Sequence, residues 1–507
     1  MLSGATVWSI IIVYMALLLL LGIYSWWKEK STSTQEYFTA GGSIKWFILV
    51  MTYIASLMST WVFFAGPGGY YRGGLTFWIS ELSYIPLFPV ITYFVMNKVW
   101  LLNSQRHYST PADIYDDRFR SPVLRAVLSI IFFAVSLPYV ASVFIACARG
   151  AEIASGGTVS YSAVIVVVGL VTLLFVSVGG MKSIAWADTI QGWLFVLGLW
   201  AIAIYALKSG FGGSLTAAVD SVWKSTNAWF SYPGPDNWVP YAARLGYPLS
   251  CAIGWTVMLP HVFIRAGYSG DSLSSQRKLM TLAPILQALV WTGTMLIGLI
   301  AIGLVPGLSG TDTELIIPYL INNIILPHGA GVATVLMGLF ILGALAVGLS
   351  TANGFLLVSG SIVSEDFIKK LLKIKVSPKQ QMLIARFVVI ILGLASMWLA
   401  LNPPQLIWTL IMFAIAMVMP IFPILVCALY WRRATAPAAV TASIAGVITV
   451  LLTYQFGLGD TWYGAFGMLV STVLMIVVSY LTKETDKQVL DEFYGALETA
   501  EAQYYVN

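Results

Sequence analysis

The stretch that decides the fold runs from residue 44 to 70 and reads IKWFILVMTYIASLMSTWVFFAGPGGY. It is apolar over a length sufficient to cross the roughly 30 Å hydrocarbon core of a lipid bilayer. Near its end comes the run Gly66-Pro67-Gly68-Gly69, which a simple membrane helix does not need. Because proline and glycine interrupt the regular hydrogen bonding of a helix, the pattern predicts a membrane helix that is broken at this point.

Similar apolar runs recur along almost the whole chain. Of its 507 residues, 59% are hydrophobic and only 10% are charged, whereas an average soluble domain has about 25% charged residues. The predicted fold is an all-α polytopic membrane protein, with a single transmembrane domain at 1–482. Runs between proline, glycine and charged clusters predict thirteen transmembrane helices: 4–26, 44–70, 75–100, 121–148, 158–179, 186–207, 244–265, 279–305, 329–362, 381–402, 404–430, 436–454 and 461–482.

The distribution of lysine and arginine predicts how these helices are oriented. Thirteen spans put the termini on opposite sides, and cytoplasmic loops carry the excess of positive charge. A topology with the N-terminus outside and the C-terminus in the cytoplasm places 22 of the 27 Lys and Arg residues on the cytoplasmic side. The first apolar run has no signal-peptide cleavage site and is interpreted as a retained helix. The net charge of +5 is therefore a matter of membrane topology, and we predict no nucleic-acid partner.

The tail at 483–507 is predicted to lie in the cytoplasm. Its apolar residues recur at helical spacing among acidic ones, which predicts a short amphipathic helix against the membrane or the protein. The three cysteines lack the spacing of a metal site or a disulfide framework.

A second interrupted span, 244–265, contains Gly254 and Pro260. It follows the first broken span by five spans and has the opposite predicted direction. This pairing predicts two inverted repeats, 44–207 and 244–430. Either break alone could reflect the frequency of glycine and proline in membrane helices. Their matching positions instead indicate a transporter, whose solute and ion site we expect between residues 55–65 and 250–262.

Sodium needs a small cage of oxygen ligands, which carbonyls freed by a helix break and nearby hydroxyls supply. Ala55, Met58 and the pair Ser350-Thr351 fit this requirement. Ser350 and Thr351 follow Val347 by three and four residues, so their hydroxyls and its carbonyl can converge on one helical flank. The alternative is that these hydroxyls bond carbonyls of the preceding turn or of a neighbouring helix, as most membrane Ser and Thr do.

Two acidic residues near hydrocarbon are candidates for an ion or solute site. Asp188, near the start of a span, could relay a cation toward the cytoplasm, or it could cap the helix N-terminus. Glu81 could bind a cation or a cationic group of the solute, or it could only accept bonds from Ser83 or Tyr84.

A solute pocket needs an aromatic face and a few polar groups. Ser59 and Trp61 on the first broken span, with Trp255 on the second, are the candidates, although a lone tryptophan more often serves packing. His261 and Arg265 end the second broken span, where we expect them at the cytoplasmic mouth, paired with the following loop.

Enzymatic motifs are missing from the sequence. It has no Gly-x-x-x-x-Gly-Lys loop, no His-Glu-x-x-His and no Gly-x-Ser-x-Gly, and its three histidines are scattered. We therefore predict that the protein is not an enzyme and that ATP does not drive it.

Taken together, several motifs resemble the sodium:solute symporter family, which includes proline, pantothenate, sialic acid and sodium/glucose transporters. The resemblance extends from residue 4 to about 482. It is carried by Glu36-Tyr37-Phe38-Thr39-Ala40-Gly41-Gly42, Gly179-Gly180-Met181-Lys182-Ser183 with Trp186, Asp188 and Gln191, Pro260-His261 with Arg265, Leu349-Ser350-Thr351, Ser364-Glu365-Asp366, and Leu429-Tyr430-Trp431.

The resemblance implies a LeuT-like core of five plus five helices, with one helix before it and two after it. It implies a sodium site formed by the carbonyls of Ala55, Met58 and Val347 and the hydroxyls of Ser350 and Thr351. Asp188 matches an acid near the family's inner sodium pathway, which helps to hold a second sodium in members that use two. The segments Gly66-Pro67-Gly68 and 402–431 look closest to the pantothenate and proline branch. Leu57 stands where the proline transporters carry an acid, which argues against a simple proline transporter.

The resulting hypothesis is a sodium-coupled symporter in the cell (inner) membrane. It would import a small organic solute, most simply a carboxylate-bearing one such as an amino acid, a monocarboxylate or a pantothenate-like acid, without an obligatory protein partner. The first alternative is a proton-coupled symporter of the same fold that uses Asp188 or Glu81. A second is a transporter-like membrane sensor.

Overall fold

The computed structural model describes residues 1–28, 33–82, 85–231, 234, 248–402, 407–457 and 463–505. Within these ranges the secondary structure is helical apart from an isolated parallel bridge between Ile44 and Gly270. The α-helices are Gly4–Lys28, Thr34–Thr39, Trp46–Met58, Ala65–Leu82, Leu87–Ile91, Asn97–Arg106, Asp113–Phe119, Pro122–Ala134, Ser136–Ala154, Tyr161–Phe211, Leu215–Ser225, Pro260–Gly267, Leu273–Leu304, Ile316–Leu320, Ala330–Ser361, Pro378–Leu401, Ile407–Val418, Phe422–Tyr430, Ala436–Gln455, Tyr463–Leu481 and Lys487–Tyr505. Segments of π-helix are Thr92–Met96, Ser250–Met258, Ile321–Ile325 and Ile362–Leu371. The predicted all-α fold is confirmed.

Local sequence signals set several helix starts. Ser377 precedes Pro378, and its side chain accepts a hydrogen bond from the backbone N–H of Gln380 at 3.3 Å. The side chain of Gln380 accepts in return from the backbone N–H of Ser377 at 2.8 Å. This reciprocal capping box satisfies N–H groups that have no intrahelical partner, so the helix begins there.

Nine helical stretches in the described ranges are long and apolar enough to cross a membrane. One of them, Tyr161–Phe211, has 51 residues and bends at Gly180, where φ is 67° and ψ is −174°. Predicted spans 158–179 and 186–207 lie on either side of this bend. The count of thirteen stays a prediction. The nine stretches are Gly4–Ser25, Pro122–Ala154, Tyr161–Phe211, Leu273–Leu304, Ala330–Leu371, Pro378–Leu401, Thr409–Tyr430, Ala436–Gln455 and Tyr463–Leu481.

The first broken helix consists of Trp46–Met58 and Ala65–Leu82, and its break lies upstream of the predicted one. Helical geometry ends at Ser59, where φ is 55° and ψ is 179°. Placing the break at Gly66-Pro67-Gly68-Gly69 was wrong, because Pro67 lies in the first turn of the second half, where a missing N–H costs no hydrogen bond. Gly68 serves close packing instead, since a Cβ there would lie 2.5 Å from the carbonyl oxygen of Thr313.

The second broken helix consists of the π-helical segment Ser250–Met258 and the α-helix Pro260–Gly267. Between them Leu259 has a φ of −59° and a ψ of 129°, which interrupts the helix directly before the proline. The predicted break at Pro260 is thus confirmed, while the start of the predicted span at 244 lies outside the described residues.

The C-terminal helix, Lys487–Tyr505, packs against the protein. Lys98 Nζ lies 2.7 Å from Glu501 Oε1, and the hydroxyl of Tyr494 donates to the carbonyl of Ala428 at 3.0 Å. The predicted amphipathic helix is therefore present, and it covers the ends of helices Asn97–Arg106 and Phe422–Tyr430.

Candidate functional site

The two broken helices meet at their interruptions. The indole N–H of Trp255 donates to the carbonyl of Leu57 at 2.7 Å, and the hydroxyl of Tyr53 donates to the carbonyl of Thr256 at 2.7 Å. The last carbonyls of a helix have no intrahelical donor, so side chains of the opposite broken helix supply one here. The two segments between which we expect the site, 55–65 and 250–262, are thus in direct contact.

Two hydroxyls of the helix Ala330–Ser361 reach the end of Trp46–Met58. The Ser350 hydroxyl lies 2.6 Å from the carbonyl oxygen of Ala55 and 2.8 Å from that of Val347. The Thr351 hydroxyl lies 2.8 Å from the carbonyl oxygen of Ser56 and 3.2 Å from that of Val347. The structure therefore brings together four of the five residues proposed for sodium, all of them fully buried. The hydroxyls bond both their own preceding turn and the neighbouring helix.

Met58 completes the predicted set by position. It is the last residue of Trp46–Met58 and is fully buried, so its carbonyl belongs to the terminal turn that lacks helical donors. Sequence reasoning missed Ser56, whose carbonyl also lies 3.2 Å from His261 Nε2. Ser56 could have been predicted from its position in the last turn of this helix, where carbonyls lack helical donors.

Asp188 lies in a buried network with groups from both broken helices. Its Oδ2 atom accepts from the Thr52 hydroxyl at 2.5 Å and from Arg265 Nη2 at 3.0 Å. Arg265 Nε also donates to Thr52 Oγ1 at 2.9 Å. The other carboxylate oxygen, Oδ1, has no hydrogen-bond partner among the described residues. Asp188 is therefore bonded across helices and is not merely a helix cap.

The expectation that His261 and Arg265 sit at a cytoplasmic mouth, paired with the following loop, was wrong. Both side chains are buried, with exposed fractions of 1% and 0%. Arg265 turns toward Asp188, and its Nη1 donates to the carbonyl of His261 at 2.9 Å. A guanidinium removed from water needs a buried anion, and Asp188 provides it.

The proposed solute-pocket residues fall into one cluster and one separate position. The rings of Trp61 and Trp255 are edge-to-face with centroids 5.6 Å apart, next to Ser59. Trp291, which the sequence analysis did not single out, extends this row, 6.5 Å from Trp255. Glu81 is also fully buried, but it lies two helical turns beyond the bend at Gly74.

Polar atoms in this cluster are poorly satisfied. Ser59 Oγ, Thr60 Oγ1 and Trp61 Nε1 are buried and have no hydrogen-bond partner within the described ranges. Because such groups lose several kcal/mol of hydration unless they are bonded, their concentration at a helix break is typical of a binding site.

A family model described as the sodium:solute symporter family matches residues 37–446, which is most of the chain. This chain belongs to the sodium:solute symporter family. The predicted resemblance is confirmed, and the protein is a multi-pass membrane transporter. As the family and its members are transporters, membership also agrees with the prediction that this chain is not an enzyme.

Relatives of this family member include two transporters from Haemophilus influenzae. Its sodium/pantothenate symporter is 24% identical over 454 residues, covering 88% of this chain and 90% of the relative. Its sodium/proline symporter is 25% identical over 504 residues, covering 95% of each. The sodium/proline symporter of Escherichia coli is 26% identical over 499 residues, with 93% and 92% covered.

Solved structures confirm a LeuT-like transporter fold for this symporter family member. A Na+-coupled sialic acid symporter in a substrate-bound outward-open state matches with a TM-score of 0.79 and 21% identity, covering 95% of this chain and 99% of the other. Mhp1, a nucleobase-cation-symport-1 family transporter, matches with a TM-score of 0.56 and 13% identity, covering 92% and 99%.

Proposed function

We propose that this protein is a sodium-coupled symporter that imports a small carboxylate-bearing solute across the inner membrane. The observation that carries the proposal is the buried cluster in which the hydroxyls of Ser350 and Thr351 lie 2.6 to 3.2 Å from the carbonyls of Ala55, Ser56 and Val347. With the Met58 carbonyl, these oxygen atoms form the proposed sodium site.

The chemistry of this cluster suits a monovalent cation. Its oxygens are neutral, so they can replace the hydration shell of Na+ without burying a full negative charge. A divalent ion would call for carboxylate ligands. No metal-binding group of three or more His, Cys, Asp or Glu residues occurs among the described residues. The oxygens come from the helices Trp46–Met58 and Ala330–Ser361, each of which contributes carbonyls, so a bound ion would hold these two helices together.

We propose thirteen transmembrane segments, with the N-terminus outside and repeats at 44–207 and 244–430. Nine apolar helices in the described part of the chain support part of this count. The remaining four segments would be the two broken helices, the second arm of Tyr161–Phe211 after Gly180, and the helical stretches between Gly74 and Arg106.

The solute would lie beside the sodium, against Ser59, Trp61 and Trp255. A carboxylate fits here because the second half of the first broken helix begins at Ala65 and directs the positive end of its dipole toward the break. The hydroxyls of Ser59 and Thr60 would donate to the same group. The Leu57 side chain has no carboxylate that could bind a cationic amine of the solute. Glu81 is retained as a candidate partner for such an amine.

Transport would follow from alternating access. Sodium entering from outside completes the site between the broken helices, the solute binds beside it, and both leave after the inner side opens. Each sodium ion contributes about 2.3 kcal/mol per 100 mV of membrane potential, to which its concentration gradient adds. Asp188, next to the inner half of both broken helices, would guide the ion toward the cytoplasm.

The test is thermal stabilisation of the purified protein by a panel of small carboxylates and amino acids, in sodium or in potassium at matched ionic strength. A solute that stabilises only in sodium supports coupled binding. Stabilisation that is equal in both cations contradicts sodium coupling. The proton-coupled alternative has a specific candidate in the unbonded Oδ1 of Asp188. It would be favoured by uptake that persists without sodium and collapses with a protonophore.

A further inference from the structure

Gln287 is a buried amide in the middle of the helix Leu273–Leu304. Its exposed fraction is 0%, and neither its Nε2 nor its Oε1 atom has a hydrogen-bond partner among the described residues. An unsatisfied buried polar group destabilises the fold, and hydrocarbon offers no water to reduce that cost. A bound molecule that reached this amide would supply the missing partners.

The position of Gln287 connects it to the proposed solute pocket. Trp291 and Thr294 follow at four and seven residues, so all three lie on one face of the helix. This face points toward Gly66 and Trp61 of the first broken helix. A Cβ added at Gly66 would lie 2.8 Å from Thr294 Cγ2 and 2.8 Å from the ring of Trp61, so Thr294 and Trp61 lie side by side. Trp291 in turn borders Trp255, with ring centroids 6.5 Å apart.

We propose that Gln287 binds a second, neutral polar group of the solute, at the end remote from its carboxylate. This inference rests on the proposed function, which places the carboxylate at Ser59, Thr60 and Trp61. Gln287 lies beyond the row formed by Trp61, Trp255 and Trp291, about one helical turn, or roughly 5 Å, past the last ring. The solute is therefore an elongated acid, with several bonds between its two polar ends.

The chemistry of the amide specifies the remote group. Gln287 presents two N–H donors and one carbonyl acceptor, so the group that satisfies it must both accept and donate. A hydroxyl or an amide does so, whereas a methyl group leaves both atoms unbonded. A remote ammonium or second carboxylate would be a buried charge facing a neutral side chain, which is costly. The solute class is thus a monocarboxylic acid with a distal hydroxyl or amide.

The experiment compares pentanoate, hexanoate and octanoate with their terminal hydroxy and terminal amide analogues. The readout is the concentration that gives half-maximal thermal stabilisation in saturating sodium, measured for the wild type, Gln287→Met and Gln276→Met. Gln276 is the matched control, because it lies on the same helix, is fully buried and has no hydrogen-bond partner for either amide atom in the described structure.

We expect the wild type to prefer a polar-ended analogue by about tenfold or more, as loss of one buried hydrogen bond implies. Gln287→Met should lose this preference but keep its affinity for the plain acid and its response to sodium, and Gln276→Met should keep all three. Gln287→Asn retains the amide on a shorter stem and should shift the preferred chain length.

Two results would overturn the inference while leaving the proposed function intact: plain and polar-ended acids that bind the wild type equally, or a preference that survives in Gln287→Met. If Gln287→Met does not fold, two measurements still test the inference: the comparison of plain with polar-ended acids in the wild type, and the preferred chain length in Gln287→Asn. If no acid of either kind stabilises the wild type in sodium, the proposed carboxylate transport itself is contradicted, and the role of Gln287 with it.

Discussion

Arg265 Nη2 lies 3.0 Å from Asp188 Oδ2, and neither side chain has any exposed surface. The Thr52 hydroxyl closes the group, since it donates to Asp188 and accepts from Arg265. These three residues come from the first broken helix, from Tyr161–Phe211 and from the second broken helix. A single polar network therefore links the three elements about one helical turn from the proposed sodium site, because Thr52 precedes Ala55 by three residues.

Asp188→Asn should destabilise the protein by about 3–5 kcal/mol, because it leaves the Arg265 charge buried without its anion. Denaturant or thermal unfolding in detergent measures the change. Asp220→Asn, at an exposed carboxylate, is the control and should have little effect. The double variant Asp188→Asn with Arg265→Gln removes both charges and should recover part of the loss. Equal stability of Asp188→Asn and the wild type would show that the ion pair contributes nothing.

Ser350→Ala and Thr351→Ala should each raise the sodium concentration needed for half-maximal uptake by about tenfold or more, equivalent to about 1.4 kcal/mol of lost binding. Each change removes one proposed oxygen ligand and leaves the Ala55 or Ser56 carbonyl without its hydroxyl. Ser359→Ala is the matched control, since Ser359 is fully buried on the same helix and bonds Ser136 at 2.9 Å. An unchanged sodium dependence in both site variants would rule out this sodium site.

The convergence of Ser350 and Thr351 on the Val347 carbonyl could be predicted from the sequence because it is a local property. Residues three and four positions apart share a helical flank whatever the rest of the fold does. Their second contact, with Ala55 and Ser56, spans almost 300 residues. The contact with Ala55 followed from the family resemblance and from the expectation that helix breaks expose carbonyls, not from spacing, and the contact with Ser56 was not predicted.

Other features depend on tertiary packing that composition does not encode. Glycine and proline in 66–69 suggested a break, but proline is also favourable in a first helical turn and glycine where backbones approach closely. The true break, at Ser59, carries no such residue. Arg265 likewise has Asp271 six residues downstream in sequence, but its partner is Asp188, which is 77 residues away. The orphaned amide of Gln287 is visible only once its surroundings are known.

Trp255→Phe should weaken solute binding while preserving the response to sodium. Phenylalanine keeps an aromatic ring beside Trp61 but cannot donate to the Leu57 carbonyl, which Trp255 Nε1 now bonds at 2.7 Å. The unsatisfied carbonyl should cost about 1–3 kcal/mol and loosen the contact between the two broken helices.

Solute-dependent and sodium-dependent thermal shifts, measured separately, check this prediction for Trp255. Trp223→Phe, at an exposed tryptophan, is the control and should bind both ligands normally. A solute affinity in Trp255→Phe that equals that of the wild type would exclude Trp255 from the pocket.

The contacts of Asp113 predict that the free energy of unfolding depends on pH. Its Oδ1 atom lies 2.8 Å from Arg125 Nη1 and 2.5 Å from Lys370 Nζ, and its Oδ2 accepts from the backbone N–H of Ser109 at 2.8 Å. Burial alone would raise the pKa of Asp113, but Lys370, Arg125 and this N–H outweigh it and hold the pKa below the usual value of 3.8.

Because the folded-state pKa of Asp113 is depressed, its contribution to stability is complete above about pH 4 and is lost as the pH falls from there toward the folded-state pKa. Asp113→Asn should therefore be less stable than the wild type at pH 6, by about 1–3 kcal/mol. The difference should shrink as the pH is lowered below 4, because the Asp113 carboxylate of the unfolded wild type then becomes protonated while that of the folded protein is still ionised, which favours unfolding. Unfolding of both proteins at several pH values between 6 and 3 measures this. A difference that stays constant over the range would mean that the charge of Asp113 does not stabilise the fold through Arg125 and Lys370.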